Sequence, residues 1–74
     1  MVEIVDMMSY EPLFRTMRDK GITSYQLQKM GFNRATYYSM KKGSSVSTNT
    51  IHLLCKLLDC RVEDVIEYVP DEEN

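Results

Sequence analysis

The sequence predicts an all-α fold, one compact domain of five short helices, and three observations carry that expectation. Apolar residues recur three and four positions apart in successive segments, the period of a helix with one buried face. Gly21, Gly31 and Gly43 fall where those segments stop, as helix-terminating residues do. Finally, 74 residues are about half of a typical domain, so one unit with one core is the economical reading, with the folded part running from about residue 9 to 69.

The first helix is expected from about Glu11 to Lys20, with Pro12 acceptable in its first turn and Leu13, Phe14 and Met17 at helical spacing. Gly21 ends it. Thr23 and Gln26 form a Thr-x-x-Gln capping box for a short second helix, Ser24 to Met30, whose Leu27 and Met30 face inward. Gly31 supplies the positive φ of a tight turn, and Phe32 anchors that turn in the core. Asn33 is then the N-cap of a third helix, Arg34 to Lys42. Tyr37 and Met40 share a buried face with Phe32, while Arg34, Ala35, Tyr38 and Lys41 look outward. Gly43, Ser44 and Ser45 make a polar loop, and Ser47 caps a fourth helix, Thr48 to Leu58, with Ile51, Leu54, Cys55 and Leu58 as its buried stripe. Asp59 and Cys60 bridge to a fifth helix near Val62 to Tyr68, whose Val62, Val65, Ile66 and Val69 close the bottom of the core before Pro70 stops it. The acidic tail Asp71 to Asn74 is expected to fray, and Val2 to Val5 is too short and charged to be more than coil or a lone edge strand.

Composition narrows the function classes. A hydrophobic content of 43% with 27% charge belongs to an ordinary folded domain, not a disordered tail. A chain this small buries only about 60% of its unfolded surface, which leaves little stability for a pocket of desolvated polar groups. No nucleophile, base and orienting group stand out together, so neither enzymatic activity nor a small-molecule substrate is expected. The apolar stretch Ile51 to Leu58 is broken by His52 and Lys56, far short of the roughly 20 residues of a membrane span. Glu3 and Asp6 stand where a signal peptide carries basic residues, so a cytoplasmic setting is expected. Cys55 and Cys60 read as reduced, small buried hydrophobes rather than a disulfide. A zinc site needs two further ligands and His52 is the sole histidine, lying off the inward stripe, so no metal and no cofactor is expected. Met17, Met30 and Met40 fall on buried faces and read as core filling rather than a pliable partner groove. The five tyrosines do not make a platform for single strands, because the helical period buries Tyr37 and exposes only Tyr38 of the adjacent pair.

The net charge of -2 conceals an uneven arrangement. Between Lys20 and Leu58 the basic residues are Lys20, Lys29, Arg34, Lys41, Lys42 and Lys56, and that segment contains no Asp or Glu. The acids concentrate toward the two ends. A polyanion senses the field within a Debye length of roughly 8 to 10 Å, so an acid-free central segment can bind phosphate although the whole chain is acidic.

Two short helices joined by a tight Gly turn, the second bearing Arg, small residues and Thr on its outer face, spell a helix-turn-helix from about residue 23 to 42. From Tyr10 to Glu67 the chain resembles the Cro and phage-repressor type of helix-turn-helix domain. The landmarks are Tyr-x-Pro-Leu-Phe at Tyr10 to Phe14, Ile22-Thr23 before the second helix, Thr36-Tyr37 in the third, and Ser47-x-x-Thr-Ile-x-x-Leu-Cys from Ser47 to Cys55. The ending Leu58-Asp-Cys-x-Val-Glu-Asp-Val-Ile-Glu-Tyr-Val-Pro is similar to that of a compact regulator subgroup of bacterial chromosomes and mobile elements. The resemblance implies a compact five-helix, lambda-repressor-like fold and a transcriptional regulator that binds double-stranded DNA, in the repressor manner. It implies Arg34, Ala35, Tyr38 and Ser39 as base-facing residues, and Lys42, Ser45 and Thr48 near phosphates. Lys41 joins the phosphate set from the basic face it shares with Arg34 and Lys42. Independently, the N-terminal ends of the second and fourth helices offer backbone N–H groups to phosphate, with Ser24 and Asn49 adding side-chain donors.

Against the pattern of most members of the family it resembles, the chain has four steps, not five, from Leu27 to Gly31, and Gln28 where a small residue is usual. The second helix is therefore expected to end early or to cross at a different angle. A single recognition helix contacts few base pairs, so a monomer in dilute solution with two copies on DNA is the expected assembly. The competing reading is a protein-interaction module of the same fold, an antitoxin or anti-regulator, favoured by the acidic run Asp71 to Glu73.

Overall fold

The computed structural model describes residues 7–70, so the readings placed on Val2 to Val5 and on Asp71 to Asn74 lie outside the described residues. A short strand β1, Met7–Ser9, leads into four helices: α1, Glu11–Lys20; α2, Ser24–Lys29; α3, Arg34–Lys41; and α4, Thr48–Leu58. A single 3-10 turn at Val62–Asp64 follows, and the described chain closes on strand β2, Glu67–Val69. The two strands pair antiparallel, Met7 opposite Val69, Met8 opposite Tyr68 and Ser9 opposite Glu67.

The caps explain where the helices begin. Thr23 and Gln26 form the reciprocal capping box: the Thr23 Oγ1 accepts from the Gln26 N–H at 3.1 Å, and the Gln26 Oε1 accepts from the Thr23 N–H at 2.9 Å. Asn33 Oδ1 accepts from the Thr36 N–H at the start of α3, and Ser47 Oγ from the Thr50 N–H at the start of α4. The ends follow a second rule. After α2 the Gly31 N–H donates to the Gln28 carbonyl and the Phe32 N–H to the Leu27 carbonyl, the paired bonds of a Schellman turn, which needs the left-handed φ of +114° found at Gly31. The same turn places Phe32 beside Leu27 in the core. At the end of α4 the left-handed position is taken by Asp59, with φ 52° and ψ 58°.

The core comprises Tyr10, Leu13, Met17, Leu27, Phe32, Tyr37, Met40, Leu54, Leu58 and Val65, drawn from every helix and from the segment after the 3-10 turn. Two hydrogen bonds tie distant parts of the chain across it. The Tyr10 hydroxyl donates to the Ser44 carbonyl in the α3–α4 loop at 2.8 Å, and the Thr16 hydroxyl of α1 donates to the Asp64 carbonyl at 2.7 Å.

The fifth helix does not form. Its apolar spacing, Val62, Val65, Ile66 and Val69, is compatible with about two helical turns, but Val, Ile and Tyr also favour strand, and Glu67–Val69 finds a partner in β1. The described residues are thus mostly helical, with four helices and a two-stranded ribbon. Val62 consequently lies exposed instead of closing the core, while Val65 is fully buried. Met30 also departs from expectation: α2 ends at Lys29, Met30 becomes the C-cap, and its side chain is 39% exposed. Cys55 and Cys60 are free thiols but only half-buried, because Cys55 sits at the edge of α4 and Cys60 beyond the Asp59 turn. Ile51 is likewise half-buried, and His52 is exposed as its position off the stripe requires. Among the described residues no helix is long and apolar enough to cross a membrane, and no three His, Cys, Asp or Glu side chains converge as metal ligands.

Candidate nucleic-acid interface

The helix-turn-helix is held from behind. Leu27 of α2, Phe32 of the turn, and Tyr37 and Met40 of α3 are all buried in the common core, which fixes the rotation of α3 about its axis. That rotation leaves Arg34, Ala35, Tyr38, Lys41 and Lys42 exposed, with Ser39 half-buried at the margin. The Arg34 guanidinium lies 5.6 Å from the Tyr38 ring centroid, one helical turn away. Tyr38 in turn meets Tyr37 edge to face at 5.2 Å, and Tyr37 meets Phe14 of α1 in the same manner at 5.9 Å. The outer face of α3 is therefore braced by a ring stack that reaches into the core. Burial, and secondarily the neighbouring Tyr38, pushes the Tyr37 phenol above its ordinary range, so the buried member of this stack is neutral at physiological pH.

The residues expected near phosphate are spread over three grooves and open surface. Ser24 at the start of α2 and Lys41 at the end of α3 border one groove, of about 420 Å³. Lys42 borders a second groove with Ser9, Tyr10 and Glu11, beside the start of α1, and Lys41 stands on the ridge between the two, bordering both. Thr48 borders a third, apolar groove with Met8, Ile51 and Val62, and Ser45 and Asn49 are exposed. The Ser24–Lys41 groove contains a residue that sequence reasoning missed, Arg18 in the last turn of α1. Its neighbour Asp19 ends the acid-free segment just short of it, so a reading by charge runs excluded it. Among the described residues the one ion pair is Arg61 with Glu63 at 3.0 Å, outside the helix-turn-helix. The cations of α3 thus have no carboxylate partner among the described residues.

A short capped helix, a tight turn and a second helix with a buried back and a cationic, polar front together make a helix-turn-helix. The sequence profile of the Cro/C1-type helix-turn-helix DNA-binding domain matches residues 13–71. The chain belongs to this family. The Cro/C1-type domain is similar in structure to the transcriptional regulator VanUg in its crystal form II, with 25% sequence identity, 89% of each chain covered and a TM-score of 0.78. No curated protein sequence matches the chain. Helix α2 stops one residue earlier than its apolar pattern predicts and still closes in a Schellman turn.

Proposed function

We propose that this Cro/C1-type domain is a sequence-specific transcriptional regulator that reads duplex DNA in the major groove with α3 and acts as a repressor. The observation that carries the reading is the face of α3: Arg34, Ala35 and Tyr38 stand exposed while Tyr37 and Met40, on the opposite side, are locked in the core. A recognition helix needs a firmly held back and a front that reaches base edges. In this reading Arg34, Ala35, Tyr38 and Ser39 meet bases. Ser24, Lys41, Lys42, Ser45, Thr48 and Asn49 meet phosphates and set the register. The chain acts as one unit, monomeric when free and with two copies on paired half-sites, because one helix spans too few base pairs for high affinity. The transcriptional role of VanUg supports the assignment to regulation.

Selection of bound sites from random duplex DNA, followed by gel shifts at increasing salt, tests the proposal. A recovered motif, bound at least about 10³-fold more tightly than random duplex, is the expected outcome. Absence of any DNA binding at low salt would sink the proposal and favour a protein-interaction module of the same fold.

A further inference from the structure

We infer that Arg18 of α1 and Lys41 of α3 form a two-walled seat for a DNA backbone phosphate, in the groove between the end of α1 and the start of α2. The inference rests on the duplex-binding reading above and adds to it a residue, Arg18, that lies outside the helix-turn-helix. Four features of the groove converge on an anion. Its walls carry one guanidinium and one ammonium from different helices, and no Asp or Glu borders it. Neither cation has a carboxylate partner among the described residues, so neither charge is already neutralised. The Lys41 ammonium is not loose: it sits 5.6 Å from the Phe14 ring centroid and 6.0 Å from that of Tyr37, both of which border the same groove. Ring faces attract the cation without consuming its charge, so Lys41 is held at the rim with its N–H donors free. The Ser24 hydroxyl, also on the rim, donates to no group among the described residues, whereas Thr23 beside it is occupied by its capping role.

The chemistry fits a phosphodiester better than a base edge. Arg presents a planar fork of donors suited to two oxygens of one phosphate, and Lys a point charge from the other side. Both come from helices whose packing is fixed by the core, so the two attachment points are set before DNA arrives, with Lys41 further held by its ring contacts. Its position, bordered by α1 and by the last turn of α3, lies at the opposite end of α3 from Arg34, where a recognition helix leaves the groove and meets the backbone.

The test is Arg18→Gln, measured on the selected site and on random duplex over a salt series, with Arg18→Lys and Arg15→Gln in parallel. Arg15 is exposed on α1 but does not border the groove. Arg18→Gln is expected to weaken both duplexes alike, on the order of tenfold at low salt, and to flatten the slope of log affinity against log salt by about one. Arg18→Lys should restore most of that slope, and Arg15→Gln should leave both affinity and slope near wild type. Unchanged binding by Arg18→Gln, in a protein whose wild type binds DNA, overturns the phosphate seat and leaves the duplex-binding reading intact. Loss confined to the selected site overturns it too, since a phosphate contact carries no sequence information. A wild type that binds no DNA removes both.

Discussion

Arg34→Ala separates reading from folding because the structure makes the substitution almost neutral for stability. Arg34 is exposed, has no carboxylate partner among the described residues, and gains only its contact with the Tyr38 ring at 5.6 Å. A cation–π pair at an exposed site contributes about 0.5 to 1 kcal/mol. Against this, Arg34 is the first residue of α3, where a positive charge opposes the helix dipole by about 0.3 to 1 kcal/mol. The two nearly cancel, and alanine is at least as good a helix former as arginine. Net stability should therefore move by less than about 0.5 kcal/mol, a change in Tm of no more than a few degrees. On DNA the loss is of another size: two hydrogen bonds to the O6 and N7 of a guanine give roughly 1 to 3 kcal/mol of discrimination, about 5- to 150-fold. Fluorescence anisotropy on the selected site and on a scrambled duplex reads this directly. Affinity for the selected site should fall by that factor while affinity for scrambled DNA falls much less. Lys42→Ala should show the opposite signature, weakening every duplex alike and flattening the salt slope by no more than about one, since Glu11 borders the same groove. Proportional loss on both duplexes by Arg34→Ala would refute base reading by this helix. If neither variant changes binding, the basic face of α3 is only a solvated surface.

Three further outcomes follow from the packing. Tyr10→Phe removes the 2.8 Å bond to the Ser44 carbonyl; because Ser44 is exposed its carbonyl can rehydrate, so the cost should be about 1 kcal/mol. Thermal melting should then show Tm lower by about 4 to 8 °C, and an unchanged Tm would mean that the hydroxyl does not anchor the α3–α4 loop. Asp59→Gly relieves a left-handed backbone and removes a negative charge from the C-terminal end of α4, a combined gain of about 1 kcal/mol in denaturant unfolding. A lower midpoint for that variant would contradict the strain argument. The Cys60 thiol is pushed up chiefly by burial, then by Cys55 and Asp64, with Lys20 opposing. The folded state therefore holds the proton more tightly than the unfolded chain. This contribution is complete below the ordinary thiol range and is lost as pH rises through the raised pKa. Alkylation of Cys60 at neutral pH should be slower than in an unfolded peptide and should accelerate on moving to alkaline pH, as read by mass spectrometry; fast, pH-independent labelling would refute the assignment.

Helix existence was legible because its causes are local. Thr23 with Gln26, Asn33, Ser47 and the glycine after each of the first three helices act within a few residues of where they stand, and the structure places α1, α3 and α4 within a residue of the bounds that caps and apolar spacing predict. The outward face of α3 was legible for the same reason, since Tyr37 and Met40 at helical spacing determine what stands opposite them. The misreadings concern residues whose environment is set by distant chain. Val62 to Val69 carries apolar residues at helical spacing, but Val, Ile and Tyr are strand-favouring residue types, and the choice was made by β1, about sixty positions earlier. Met30 fits the inward pattern of α2, yet the turn to Phe32 takes the core position instead.

By itself, then, the sequence determined α1 to α4, the caps that start α2, α3 and α4, the tight turn at Gly31 and the face that α3 turns outward, all of which depend on interactions spanning about one helical turn. Only the tertiary structure decided that the chain closes on a two-stranded ribbon, and that Arg18, Ser24 and Lys41 from three different helices border one groove. Strand pairing and a shared groove are relations between segments far apart in the chain, set by how complete faces pack against one core, and no local period encodes them.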